Sequence, residues 1–173
     1  MESHIEDVTQ SAFSSMPLTS DALAFARERH DGAEVWHPLE VAVLLRNAGY
    51  PDAVVAAGML HEVLEDTVTD RDELERRFGE PVAQLVESLS DDPAIEDQQE
   101  RRAALRLQVA EAGPTAAAVF AADKVSKARE LRLKASRGEL GEEERMKLEH
   151  YEESLDMLVT AMLLHELESL RAL

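Results

Sequence analysis

Residues 56–66 read AAGMLHEVLED, and together with the preceding AVV they run from an unbroken apolar stretch into four polar side chains. At about 100° per residue, with His61 as the origin, Glu65 falls at about 40°, Glu62 at about 100° and Asp66 at about 140°. Met59, Ala56, Val63, Leu60, Leu64 and Ala57 fill the arc from roughly 160° to 320°. The spacing predicts a helix with one apolar face and one face carrying a histidine and three carboxylates. Gly58, at about 60°, shares with Glu65 the arc between His61 and Glu62 on the polar face, where its lack of a side chain leaves room for a ligand or a neighbouring helix. Residues 53–60, AVVAAGML, are almost wholly apolar, and a helix that is apolar all round is a buried one. The acids therefore begin where the helix is still inside, and carboxylates there require a cation. Taken alone, the segment is equally open to a plain reading as an amphipathic helix with a solvated acidic face.

Outward from this segment the chain reads as all-α, with seven or eight helices. Ala, Leu, Glu and Arg dominate, which are strong helix formers, and aromatic residues at 4% leave little for strands. Residues 1–17 read as a flexible lead-in, and 18–173 as a single helical domain, an ordinary size for one domain. A helix is predicted over about 19–30, with Thr19, Ser20 or Asp21 as caps, ended by Gly32. Pro38 suits the first position of the next helix, which stops at Gly49. Pro51 opens one continuous helix, DAVVAAGMLHEVLED. Thr69 and Asp70 can cap DELERRF, Gly79 ends it, and Pro81 opens VAQLVESL. Residues 91–100 read as an acidic loop, RRAALRLQVAEA as a helix up to Gly113, and 115–136 as a long helix. A closing helix is expected over RMKLEHYEESLDMLVTAMLLHELESL, residues 145–170.

Composition removes several classes of function. The chain of 173 residues has no cysteine, which excludes disulfides, a thiol nucleophile and thiolate metal sites. Lys and Arg number 18 against 36 Asp and Glu, a net charge of -18, which argues against a basic groove for duplex nucleic acid. No apolar run approaches the roughly 18 residues of a membrane span. The N-terminus, MESHIEDVTQSAFSSM, lacks a signal-peptide pattern, so a cytoplasmic protein is expected.

Two further residues join His61 and Glu62 as candidates for chemistry. Asp123 follows AAAVFAA, seven apolar residues in a row, and buried aspartates are uncommon unless paired or bound to metal. His37 stands at a helix entry, just before Pro38. His30 competes for that role, and His165 reads as a packing or surface histidine. His37, His61, Glu62 and Asp123 make a set of N and O donors suited to Mn²⁺, Fe²⁺ or Zn²⁺, with Mg²⁺ possible for the oxygens. A metal so held can polarise a phosphoryl oxygen and lower the pKa of a bound water. Glu65 and Asp66 are candidates for positioning that water and moving its proton. Lys124, Lys127, Arg129, Arg132, Lys134 and Arg137 supply six of the 18 basic residues within 14 positions. Only Lys124 and Lys127 are near enough in sequence to act at Asp123, as candidate substrate-binding groups.

The segments FARERH, WHPLEVAVLL, AAGMLHEVLEDT, ELERRFGEPVAQLVESLSDD and AADKVSKARELR, in this order over about residues 21–133, resemble the HD-domain metal-dependent phosphohydrolases. Within them the chain is most similar to the hydrolase domain of the RelA/SpoT-homologue family, including the small alarmone hydrolases of the stringent response. The resemblance implies a compact multi-helix domain with His37 as first metal ligand, His61 and Glu62 as the histidine-acid doublet, and Asp123 as last ligand. It implies Mn²⁺ as the metal, Glu65 and Asp66 as the catalytic acidic pair, and removal of the 3′-pyrophosphate from guanosine tetra- and pentaphosphate. A small-molecule nucleotide is then the partner.

This chain departs from that pattern at three points. The doublet is His-Glu rather than His-Asp, which moves the carboxylate by one methylene. DGAEVW, between His30 and His37, holds no Arg or Lys to clamp a base and phosphates. Lys127 stands where the family carries an asparagine. Beside the alarmone hydrolase, the sequence leaves open a hydrolase of another nucleotide or phosphoester and a nucleotide-binding module weakened in catalysis by Glu62. It also leaves open a helical interaction protein without metal.

Overall fold

The computed structural model describes residues 13–30, 35–139, 141–154 and 158. Among these the protein is all-α. The chain divides into two compact units, Met1–Glu87 and Ser88–Leu173.

The first unit is built on α1 (Pro17–Arg29), α2 (Trp36–Asn47), α3 (Asp52–Leu60), the single turn α4 (Val63–Asp66) and α5 (Arg71–Phe78). Helix α3 is the central element and packs against both α1 and α2. Its composition explains this: every residue from Val54 to Leu60 is buried. The sequence left Gly58 facing a ligand or a neighbouring helix, and the neighbour is α2. A Cβ at Gly58 would lie 2.5 Å from Leu45 Cδ1 and 3.3 Å from Val41 Cγ1, so glycine sets how closely the two helices approach.

Helix α1 starts at Pro17, earlier than the predicted capping residues. None of Thr19, Ser20 or Asp21 caps it. The cap comes from Asp52 of α3, whose carboxylate accepts from the Leu18 N–H (3.0 Å), the Thr19 N–H (2.9 Å) and the Thr19 hydroxyl (2.6 Å). This satisfies donors that every helix N-terminus leaves open, and it ties α1 to α3. The end of the expected lead-in also belongs to the fold. Phe13 is fully buried, and Phe13 O accepts from Met16 N–H.

Helix α2 starts at Trp36, so Pro38 is its third residue rather than its first. The change costs no intrahelical bond, because the first turn has no internal acceptors. Helix α5 is capped by Asp70 as expected, its side chain accepting from Glu73 N–H at 2.8 Å, and Gly79 ends it at φ 87°. Arg71 then bonds Glu75, Glu80 and Glu87 at 2.6 to 3.0 Å, fastening α5 to α6 (Glu80–Leu89).

The second unit contains α7 (Gln98–Ala112) and α8 (Pro114–Ser136), which pack on each other, and a helical stretch over residues 142–154. Helix α7 begins within the expected loop. Asp97 caps it by accepting from Glu100 N–H at 2.8 Å, a signal present in the sequence as Asp-x-x-Glu. Val109 of α7 and Ala116, Val119 and Phe120 of α8 are among the buried apolar side chains of this unit. Most of the closing helix predicted over 145–170, with His165, lies outside the described residues.

Candidate metal centre

The helix predicted over 52–66 is interrupted. Helix α3 ends at Leu60, His61 and Glu62 form a turn, and α4 resumes at Val63. His61 Nδ1 lies 2.8 Å from Gly58 O, the carbonyl that an unbroken helix offers to residue 62. A carbonyl only accepts, so Nδ1 carries the proton and Nε2 keeps its lone pair. The bond locks the tautomer in the manner usual for ligating histidines.

His37 is the second residue of α2. Its Nε2 lies 3.3 Å from His61 Nε2, and the rings are 5.1 Å apart at 68°. Metal–nitrogen distances of about 2.0–2.1 Å place two ligating nitrogens about 2.8–3.4 Å apart, the lower end at octahedral and the upper end at tetrahedral angles. The observed spacing falls in that interval. Glu62 Oε1 faces the same two atoms, at 3.5 Å from His37 Nε2 and 3.8 Å from His61 Nε2. His61 is buried, while His37 and Glu62 are each about a fifth exposed, which leaves an approach from outside. These N and O donors fit a divalent ion of the Mn²⁺, Fe²⁺ or Zn²⁺ kind.

Glu65 and Asp66 follow on α4 and are exposed. Thr67, which ends that turn, donates its hydroxyl to Val63 O (2.6 Å). The break at His61 sets this short helix apart from α3, so the two carboxylates no longer follow a single helical wheel. His30, the alternative to His37, closes α1 with its N–H on Ala26 O. The imidazole that meets His61 belongs to His37.

In the second unit, Asp123 is buried on α8, 5% exposed. The sequence expected a pairing or a metal there, and the pairing is on both oxygens. Lys124 Nζ donates to Oδ2 at 2.6 Å, and Lys127 Nζ lies 3.0 Å from Oδ1. Lys124 also sits 4.2 Å from the Phe120 ring centroid and 5.8 Å from that of Tyr151. Farther along α8, Lys134 pairs with Glu130 and Glu144, while Arg129, Arg132 and Arg137 are exposed, in line with a solvated helix face.

His150 escaped the sequence reading. It is buried, 8% exposed, with Nδ1 accepting from Arg106 Nη1 at 2.9 Å. Burial, followed by the charges of Lys124, Arg102 and Arg106, lowers it from 6.5 to about 3, with Asp123 opposing. The available signal was the i, i+4, i+8 line of His150, Ser154 and Leu158, all buried, on a stretch otherwise rich in charge.

The family model described as HD domain matches residues 17–145. The chain is 39% identical over 97 residues to the guanosine-3′,5′-bis(diphosphate) 3′-pyrophosphohydrolase MESH1 of Homo sapiens, covering 55% of this chain and 54% of that protein. It is 40% identical over 76 residues to the guanosine-3′,5′-bis(diphosphate) 3′-pyrophosphohydrolase of Aquifex aeolicus, covering 40% of this chain but 11% of that protein. A solved structure of a metazoan ortholog of SpoT that hydrolyzes ppGpp superimposes with a TM-score of 0.73 at 24% identity, over 83% of this chain and 86% of the other. That likeness carries the all-α fold. No described helix is long and apolar enough to cross a membrane. With a family match running through three quarters of its length, the chain belongs to the HD domain family.

Proposed function

We propose that the protein is a divalent-metal-dependent phosphohydrolase that releases the 3′-pyrophosphate of guanosine tetra- or pentaphosphate. The observation that carries this reading is the convergence of His37 Nε2, His61 Nε2 and Glu62 Oε1 within 3.3 to 3.8 Å of one another. His37, His61, Glu62 and Asp123 would hold the ion, with Mn²⁺ as the first choice. When bound, such an ion neutralises charge on phosphoryl oxygens and acidifies water. Glu65 and Asp66, exposed on α4, orient the attacking water and receive its proton. Lys124 and Lys127 contribute positive charge toward the phosphates. The domain that does this work is taken as residues 18–173, of which the family match covers the part up to residue 145. The relatives' names support the substrate, a small-molecule nucleotide, and a cytoplasmic setting accords with it.

A second reading has its own observation. No Arg or Lys stands between His30 and His37, which favours a phosphohydrolase of another nucleotide, or a nucleotide-binding module, over one that clamps guanine there. The experiment is pyrophosphate and phosphate release from guanosine tetraphosphate, with and without Mn²⁺, by the native chain and by Glu62→Asp. Mn²⁺-dependent pyrophosphate release by the native protein is the expected result. Release by Glu62→Asp alone would mean a site disabled at one ligand. Silence from both would overturn the substrate and move the reading to another phosphoester or to binding.

A further inference from the structure

Asp123 is a carboxylate with both oxygens already engaged. Lys124 Nζ holds Oδ2 at 2.6 Å and Lys127 Nζ lies 3.0 Å from Oδ1. The pair is largely buried, with Asp123 at 7% and Lys124 at 13% side-chain exposure. Charges in such a setting are screened little by salt and interact more strongly than at the surface. A divalent cation that takes this carboxylate must share it with two monovalent ones at contact range.

The two lysines differ in their freedom to yield. Lys124 lies against the Phe120 and Tyr151 rings, a cation–π setting that adds to its retention. Lys127 is 34% exposed and reaches Asp123 from one helical turn away, at i, i+4. Its ammonium can swing into water at small cost, and its long stem keeps it within reach of an incoming phosphate.

We infer that Lys127 is a positioning residue that sets the metal affinity of the centre: it holds Asp123 in competition with the divalent ion and gives way when the ion binds. This rests on the proposed role of Asp123 as a metal ligand. An ammonium tethered beside a ligand carboxylate lowers the affinity for a second cation by their mutual repulsion. It also keeps the carboxylate ordered, and a neutral residue at 127 would lose that order while removing the repulsion.

The test is Mn²⁺ affinity of the full chain after chelator treatment, followed by calorimetric titration and by the electron paramagnetic resonance signal of free Mn²⁺. Lys127→Asn and Lys127→Gln remove the charge, Lys127→Arg keeps it, and Lys134→Asn deletes a charge elsewhere on α8, where Lys134 pairs with Glu130 and Glu144. Thermal melting identifies any variant that does not fold, and two neutral substitutions guard against losing one. The expected result is Mn²⁺ affinity raised at least about tenfold in Lys127→Asn and Lys127→Gln, near-native affinity in Lys127→Arg, and little change in Lys134→Asn. Unchanged or weaker binding in the neutral variants would overturn the inference while leaving the metal centre standing. An equal gain in Lys134→Asn would overturn it too, as a general charge effect. Absence of Mn²⁺ binding in the native chain and every variant would overturn both the inference and the metal-dependent function.

Discussion

The two units hold their chemical groups by different means. In the first, His61 is fixed just past the end of α3 by a backbone carbonyl, His37 stands in the first turn of α2, and α2 and α3 meet across a glycine. In the second, Asp123 is fixed by two ammonium groups, and His150 by a guanidinium. Packing and backbone hydrogen bonds respond weakly to salt and pH, whereas charged side-chain pairs respond to both. A residue that must present a lone pair is best held by the backbone, which adds no competing cation. The carboxylate on α8 is ordered by charge, at the cost of competition for the same oxygens.

The most severe test of the packed unit is Asp52→Ala. It removes the acceptor for two backbone N–H groups and one hydroxyl, and Thr19 is fully buried. Losing hydrogen bonds to a charged acceptor while leaving donors unpaired is expected to cost about 2–3 kcal/mol. Urea unfolding at low and moderate salt measures it, and the loss should be nearly the same at both. A loss below about 0.5 kcal/mol would mean that the remote cap is ornamental and that α1 is held by its apolar face alone.

Gly58→Ala is expected to be milder. The added methyl meets Leu45 Cδ1 and Val41 Cγ1, and Leu45 and Val41 are themselves buried. Overpacking of this kind costs about 1–3 kcal/mol, offset by roughly 1 kcal/mol from the better helix propensity of alanine. At 2.5 Å the Leu45 contact puts the cost in the upper half of that range, so the net loss should be about 1–2 kcal/mol on urea unfolding. Because the methyl pushes α2 from α3, Mn²⁺ affinity should fall with stability. Unchanged stability and affinity would show that α2 approaches α3 with room to spare.

The sequence made the helical class and the candidate residues readable because both rest on local signals. The glycines and prolines punctuate the helices, AVVAAGML announces a buried one, and an aspartate after seven apolar residues announces a buried acid. Three features were hidden because each depends on a partner remote in sequence or on a side chain turning back on its own helix. The cap of α1 comes from Asp52, which lies 33 and 34 residues from its partners. The interruption at His61 accompanies an imidazole bonded to Gly58 O, which a helical wheel treats as an ordinary polar position. The two lysines on Asp123 read equally well as groups for substrate, since residue spacing places a charge without saying which charge it faces.

His150 gives the smallest effect at neutral pH and the clearest contrast between the units. Arginine can only donate, so Arg106 makes His150 Nδ1 an acceptor and leaves the proton of the neutral ring on Nε2. Protonation in the fold would place a third positive group beside Arg106 and Arg102, with Lys124 adding to the repulsion and Asp123 opposing it. Folding lowers His150 from 6.5 to about 3, so between these values the unfolded chain binds the extra proton. Stability from this group is complete above pH 6.5 and is lost progressively as the pH falls toward 3. The cavity of about 430 Å³ that His150 lines with Arg102, Arg106 and Glu149 gives the proton a route. Substituting His150→Phe removes the titration while keeping a ring beside Phe120, and Arg106 retains Glu153 at 2.8 Å. Melting temperatures of native and variant protein should therefore fall by different amounts between about pH 7 and pH 5, the native falling further. Equal falls would mean that the acid sensitivity resides in the many carboxylates of this strongly acidic chain, and that the charged pairs of the second unit are no more vulnerable than the packing of the first.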